Sequence, residues 1–138
     1  MLDFGTASGD ITPDIDGVGM MGWGRHENTV HAVATPLKAR AFIFRNPENE
    51  QKIAYVVAEI TFITISIKQG VIEKLTKEYP DLGFSDDNVM LNATHTHSVP
   101  GGFSHYMMYN LTIPGYSDEV CQTYINGIVD SIVKASLS

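Results

Sequence analysis

The sequence is poor in the features that mark disulfide scaffolds, membrane spans and nucleic-acid binders. Cysteine occurs once, at Cys121, so an intrachain disulfide is excluded. Basic residues are scarce, with 9 Lys and Arg against 16 Asp and Glu, for a formal charge of −7. No basic stripe exists to displace counterions from a phosphate backbone, which argues against a nucleic acid as partner. Long apolar runs are missing as well. The longest, Ile53 to Ala58, falls far short of the roughly 20 residues that a membrane-spanning helix needs. The opening Met1-Leu2-Asp3 has neither a basic n-region nor an apolar h-region, so no signal peptide is expected. No repeat or low-complexity tract divides the 138 residues. What is left, 43% hydrophobic and 18% charged, reads as one acidic, soluble domain over residues 1–138.

Turn formers dominate the first third. Gly5, Gly9, Pro13, Gly17, Gly19, Gly22 and Gly24 interrupt any long periodicity, so a short strand over Asp3–Ile11 is followed by a loop to about Pro36. A loop of that length in a compact domain is usually functional or partly disordered. From Leu37 to Arg45 the residues alternate, with Leu37, Ala39, Ala41 and Ile43 on one face and Lys38, Arg40, Phe42 and Phe44 on the other. The turn residues Asn46 to Glu50 then lead into the apolar run Ile53–Ile60. This pattern predicts a hairpin whose second strand is buried on both faces.

Two amphipathic helices follow. Ile67, Val71, Ile72, Leu75 and Tyr79 form the first stripe, with a favourable Glu73–Lys77 spacing and a stop at Pro80. Val120, Cys121, Tyr124, Ile125, Ile128, Val129, Ile132 and Val133 form the second, with Ser117 as cap and Asp118 and Glu119 at the positive end of the dipole. Asn88 to Ala93 between them reads as a core strand. The fold class is α/β, a mixed sheet with two amphipathic helices.

The chemistry points to the end of that last strand, Thr94-His95-Thr96-His97-Ser98-Val99-Pro100-Gly101-Gly102. Extended residues two apart share a face, so His95 and His97 are expected to project together. Two imidazoles there would share a metal, or put one on the metal and the other beside a substrate. A bare His-x-His also arises as two hydrogen-bonded surface histidines. His26, His31 and His105 are scattered, whereas a catalytic zinc usually has three protein ligands. The Pro-Gly-Gly that follows allows a sharp turn and close backbone approach to a ligand.

The string from Asn88 to Tyr109, NVMLNATHTHSVPGGFSHYMMY, resembles the signature of the neutral/alkaline non-lysosomal ceramidases. Other matching segments run along the chain in order. They are Gly9-Asp10-Ile11-Thr12-Pro13, Met20-Met21-Gly22-Trp23-Gly24, Ala39-Arg40-Ala41-Phe42-Ile43, Tyr109-Asn110-Leu111-Thr112 and Asn126-Gly127-Ile128-Val129.

The resemblance implies a zinc-dependent amidase, an N-acylsphingosine amidohydrolase, that cleaves the N-acyl bond of ceramide to sphingosine and a fatty acid. It implies His95 as a zinc ligand and His97 as the catalytic residue beside the scissile amide. Met21, Gly22, Gly101 and Gly102 would line the substrate pocket. It further implies action outside the cytosol, in a secreted or periplasmic setting or at a membrane or micelle surface. The remaining zinc ligands and a serine lie further along the longer chains of that family. The 138 residues are therefore expected to be an N-terminal portion of a larger zinc amidase domain, inactive alone. The alternative is a non-catalytic lipid-binding module.

One departure concerns the loop, where the family usually has Ser-Gly-Pro-Gly-Gly and this chain has Val99. A positive φ there would strain valine by roughly 1–3 kcal/mol. Glu59, ending the apolar strand, is expected either to support a metal-bound histidine or to meet a helix N-terminus. Arg40 and Cys121 read as a strand-edge cation and a buried small hydrophobe. Asn92-Ala93-Thr94 and Asn110-Leu111-Thr112 match the glycosylation sequon, the first in a strand expected to be buried.

Overall fold

A computed structural model describes residues 1–113 and 115–138. Four strands form one sheet in the order β1-β2-β3-β4: β1 is Asp3–Asp10, β2 Lys38–Arg45, β3 Lys52–Ala58 and β4 Val89–Ala93. The first three are antiparallel, and β4 joins β3 in parallel after a crossover through helix α1, Ile65–Glu78. Helix α2, Asp118–Leu137, lies across β1 and β2 and packs beside α1. The α/β mixed sheet with two helices is what the sequence pattern predicts.

Small residues set how closely the layers pack. Gly5, Ala7 and Gly9 of β1 and Ala39 and Ala41 of β2 face the helices, and α2 presents Gly127 to them. A β-carbon on Gly9 would overlap the carbonyl of Gly127, and one on Gly127 would overlap the carbonyl of Asp10. The Asn126-Gly127-Ile128-Val129 segment is therefore a packing device. Ile11, Val56, Ile60, Ile67, Val71, Ile128 and Ile132 fill the space between the layers at under 2% exposure. Each full burial of such a side chain is worth about 2 kcal/mol.

Both helices start at a hydroxyl cap, Ser117 as the sequence predicts and Thr64 in addition. Thr64 Oγ1 accepts from Ile67 N at 3.2 Å, and Ser117 Oγ accepts from Val120 N at 3.3 Å. On α1 the close ion pair is Lys74–Glu78 at 3.1 Å, rather than the expected Glu73–Lys77. Tyr79 ends the helix at the surface, and Pro80 opens a 3-10 turn, Pro80–Leu82.

Two expectations about the sheet do not hold: β4, read as a core strand, is an edge strand in which only Val89 is buried, and β3 is not covered on both faces. In β3, Ala54, Val56 and Ala58 are buried, but Ile53 is 51% exposed and Tyr55 and Val57 are half-buried. Helices cover only one face of the sheet. The opposite face carries Phe4, Phe42, Phe44, Ile53, Tyr55 and Met90.

Candidate functional site

The site forms where the C-terminal ends of β3 and β4 meet the glycine-rich loop. This is the usual position for ligands in sheets with parallel strands. Strand β4 stops at Ala93, and Thr94 N and His95 N bond to the carbonyls of Ala58 and Ile60 at 3.0 and 3.1 Å. His95 then turns into the left-handed region, with φ of 64°. That conformation is uncommon for a residue with a β-carbon and concentrates at functional sites. His95 and His97 thus meet across a turn, not by strand alternation as the spacing predicts.

Each imidazole is fixed by a backbone carbonyl. Nδ1 of His95 lies 2.8 Å from the oxygen of Thr61, and Nδ1 of His97 lies 2.8 Å from the oxygen of Met21. A carbonyl only accepts, so both Nδ1 atoms carry the proton and both Nε2 atoms carry a lone pair when the rings are neutral. Those two Nε2 atoms are 3.3 Å apart, and the rings meet edge to face with centroids 4.7 Å apart. Neither neutral ring has a hydrogen to offer the other. A cation or a donor group placed against the two nitrogens would complete the pair.

A zinc ion fits that donor set. With one Nε2 on a cation at about 2.0–2.1 Å, the other would face a group bound beside it. Among the described residues no group of three His, Cys, Asp or Glu side chains converges on a common point. His31 bonds Thr29 and Asp16, and the His105 ring packs at a tilt against Tyr116.

Around the pair, the loop acts mainly through its backbone. Met21 is 3% exposed, so it meets the site through its carbonyl and not its side chain. Gly22, with φ of 90°, sits against the His97 ring, which occupies the space a β-carbon would need. Trp23 is half-exposed and donates from Nε1 to the oxygen of His97 at 2.8 Å. Gly101 and Gly102 are buried. Gly101 N donates to Gly19 O at 2.9 Å, and Gly102, with φ of 79°, accepts from Ser117 N at 2.7 Å. Among the expected pocket residues, Gly22 is open to solvent, whereas Met21, Gly101 and Gly102 are buried.

Other expectations are corrected. Val99 is fully buried and is not among the residues with positive φ, so the loop accommodates it without that strain. Glu59 supports neither a histidine nor a helix end: it accepts from Arg40 Nη1 at 2.7 Å and from Lys38 N at 2.8 Å. Burial pushes its carboxyl pKa up, but these bonds outweigh it and hold the group below its ordinary value. Of the sequon asparagines, Asn92 has a buried Nδ2, in line with the expectation, and Asn110 Nδ2 donates to Ser104 O at 2.7 Å. Sequence reasoning missed Thr61 and Met21 as anchors because both act through carbonyls, which any residue supplies. Tyr124, fully buried in α2, likewise holds the loop through its hydroxyl on Pro100 O at 2.8 Å.

Comparison with known proteins identifies the family and the fold. The pattern of the family described as neutral/alkaline non-lysosomal ceramidase, N-terminal, matches residues 2–138. The neutral ceramidase of Pseudomonas aeruginosa is 38% identical over 132 residues, covering 96% of this chain and 20% of its own length. The neutral ceramidase of Mycobacterium tuberculosis is 32% identical over 137 residues, with 98% and 21% covered. The crystal structure of the Pseudomonas aeruginosa enzyme superimposes with a TM-score of 0.94 at 37% identity, over 99% of this chain and 21% of that one. The chain thus spans about a fifth of the length of the relatives it matches. It belongs to the neutral/alkaline non-lysosomal ceramidase family.

Proposed function

We propose that these residues supply part of the catalytic centre of a zinc-dependent amidase that cleaves the N-acyl bond of ceramide to sphingosine and a fatty acid. The observation that carries the proposal is the 3.3 Å approach of two Nε2 lone pairs, each fixed by an Nδ1–H bond to a backbone carbonyl. His95 would hold the metal, and the Thr61 carbonyl would keep its ring in the ligating tautomer. Zinc, when bound, polarises an acyl carbonyl and lowers the pKa of bound water to about 7. A catalytic zinc takes three protein ligands as a rule. The others would come from the part of the domain that the relatives carry beyond the matched segment.

His97 is the acid and base of this reading. Amide hydrolysis requires a proton to leave the attacking water and a proton to reach the departing nitrogen. Nε2 of His97 accepts the first and returns it, while the Met21 carbonyl stabilises the imidazolium through Nδ1–H. Gly22, with no side chain, leaves the room that the His97 ring itself occupies. The substrate class, a ceramide or related N-acyl sphingolipid, follows from the names of the relatives, and action at a membrane or micelle surface outside the cytosol belongs to the same reading. On this proposal the 138 residues alone do not turn over substrate.

A chimera tests it, with this chain replacing the matched segment of the Pseudomonas aeruginosa enzyme. It should release fatty acid from ceramide, and His97→Ala should lower that rate about 10²–10⁴-fold. An unchanged rate would remove His97 from the chemistry. Ceramide binding without hydrolysis by the chimera would favour the lipid-binding module instead.

A further inference from the structure

We propose that Thr61 is a positioning residue for the amidase centre: its side-chain hydroxyl, acting through the carbonyl of Thr96, fixes where His97 stands against His95. The catalytic consequence rests on the amidase reading, whereas the positioning itself does not.

Strand β3 ends at Ala58, and Glu59-Ile60-Thr61 then runs beside the segment that leaves β4. Ile60 O takes the N–H of His95, and Thr61 O takes its Nδ1–H at 2.8 Å. Thr61 has a second hold on the motif. Its Oγ1 donates to Thr96 O at 2.9 Å, from a side chain that is buried. The Thr96 carbonyl and the backbone N of His97 belong to one rigid peptide plane, so turning the carbonyl redirects the His97 side chain. Thr61 therefore grips one histidine by its ring and the other by its peptide. Outside the motif and among the described residues, it is the residue whose hydrogen bonds reach both positions.

The turn needs such a grip. His95 has φ of 64°, a conformation that persists only where its surroundings over-determine it. The other holds on His97 come from the glycine-rich loop, through Met21 O on Nδ1 and Trp23 Nε1 on the His97 carbonyl. Trp23 is 51% exposed and lies between Gly22 and Gly24, both at positive φ. Neither hold ties His97 to the segment that anchors His95. The Thr61 hydroxyl does, and so links the two Nε2 atoms that stand 3.3 Å apart.

Other hydroxyls fasten the later part of the same loop. Tyr124 donates to Pro100 O at 2.8 Å, and Ser66 and Thr64 donate to Phe103 O at 2.8 and 3.1 Å. Ser66 shares its acceptor, so Ser66→Ala leaves Phe103 O bonded to Thr64. It also lies well along the chain from the histidines and serves as the control for a merely structural role. Thr61→Val is the informative change. It keeps the carbonyl that holds the His95 ring and the branched shape, and removes only the donor to Thr96 O. Thr61→Ser returns that donor.

Two readouts test the role. In the metal-free chain with isotope-labelled histidine, the hydrogen-bonded Nδ1–H signal of His97 should be lost in Thr61→Val and return in Thr61→Ser. The His95 signal should survive in both. In the Pseudomonas aeruginosa chimera, Thr61→Val should lower kcat for ceramide hydrolysis about tenfold with KM within about twofold, as expected of a displaced catalytic group. Thr61→Ser should restore kcat, and Ser66→Ala should leave both readouts unchanged. An unchanged His97 signal in folded Thr61→Val would overturn the proposal, as would a fall in kcat that Thr61→Ser does not reverse or that Ser66→Ala reproduces. Should Thr61→Val not fold, the unsubstituted chain decides: a resolved Thr61 hydroxyl proton in slow exchange with water supports the bond, and its absence overturns the proposal. The two readings fail separately. An inactive parent chimera would remove the amidase reading and leave the spectra standing, whereas unchanged spectra beside an active chimera would remove only the role of Thr61.

Discussion

The imidazole of His97 occupies the space that a β-carbon on Gly22 would fill. Gly22 also has φ of 90°, so the chain there needs glycine twice over, for conformation and for room. Gly22→Ala should therefore displace the ring from the Met21 carbonyl and cost about 1–2 kcal/mol of backbone strain. Hydrolysis by the chimera should fall about 100-fold, as for a misplaced catalytic group. The protein NMR signal of the hydrogen-bonded Nδ1–H of His97 should disappear with it. Retention of both signal and rate would show that Gly22 does not position the ring.

The contact of β1 with α2 makes a separate prediction about stability. Gly127→Ala would push a β-carbon into the Asp10 carbonyl, and backbone on both sides leaves nothing flexible to yield. We expect a loss of about 3 kcal/mol in urea unfolding. Lys134→Ala, on the exposed face of the same helix, should stay within about 0.5 kcal/mol. Equal effects of the two would mean that the helix does not lie against β1 as described.

Acid stability follows from the polar end of the sheet. The Lys38 ammonium, with the hydroxyl and N–H of Thr12, lowers the Asp10 carboxyl from 3.8 to about 2. Arg40 and the Lys38 N–H hold Glu59 low against its burial. A carboxyl with a depressed folded pKa contributes stability above its unfolded value and loses it as pH falls through the folded one. Stability should decline as pH drops from about 4 towards 2, and Asp10→Asn should flatten that decline. Denaturant midpoints measured across this range check it, and an unchanged slope would rule out the Asp10 contribution.

Much of the fold was legible because its periodicities are local. The alternation in β2, the stripes of both helices and the cap Ser117 all act within a few residues. What the sequence misled on depends on partners far along the chain. Ile53 was expected to be buried because β3 is continuously apolar, but burial of that face needs a layer that these residues do not contain. The pair of histidines was legible as a pair. Its geometry was not, because His95 leaves the strand through a left-handed turn and the anchoring groups are the carbonyls of Thr61 and Met21. Glu59 was read as a site residue from its position alone, whereas Arg40 sits on the neighbouring strand in reach of it.

The decisive measurement is the zinc content of the chimera purified without chelator, with and without His95→Ala. If His95 ligates the metal, the parent should carry equimolar zinc and the variant should bind it at least about 100-fold more weakly, as removal of a direct ligand demands. Zinc bound equally well by His95→Ala, with the fold intact by circular dichroism, would contradict the assignment of these two histidines to a zinc amidase centre.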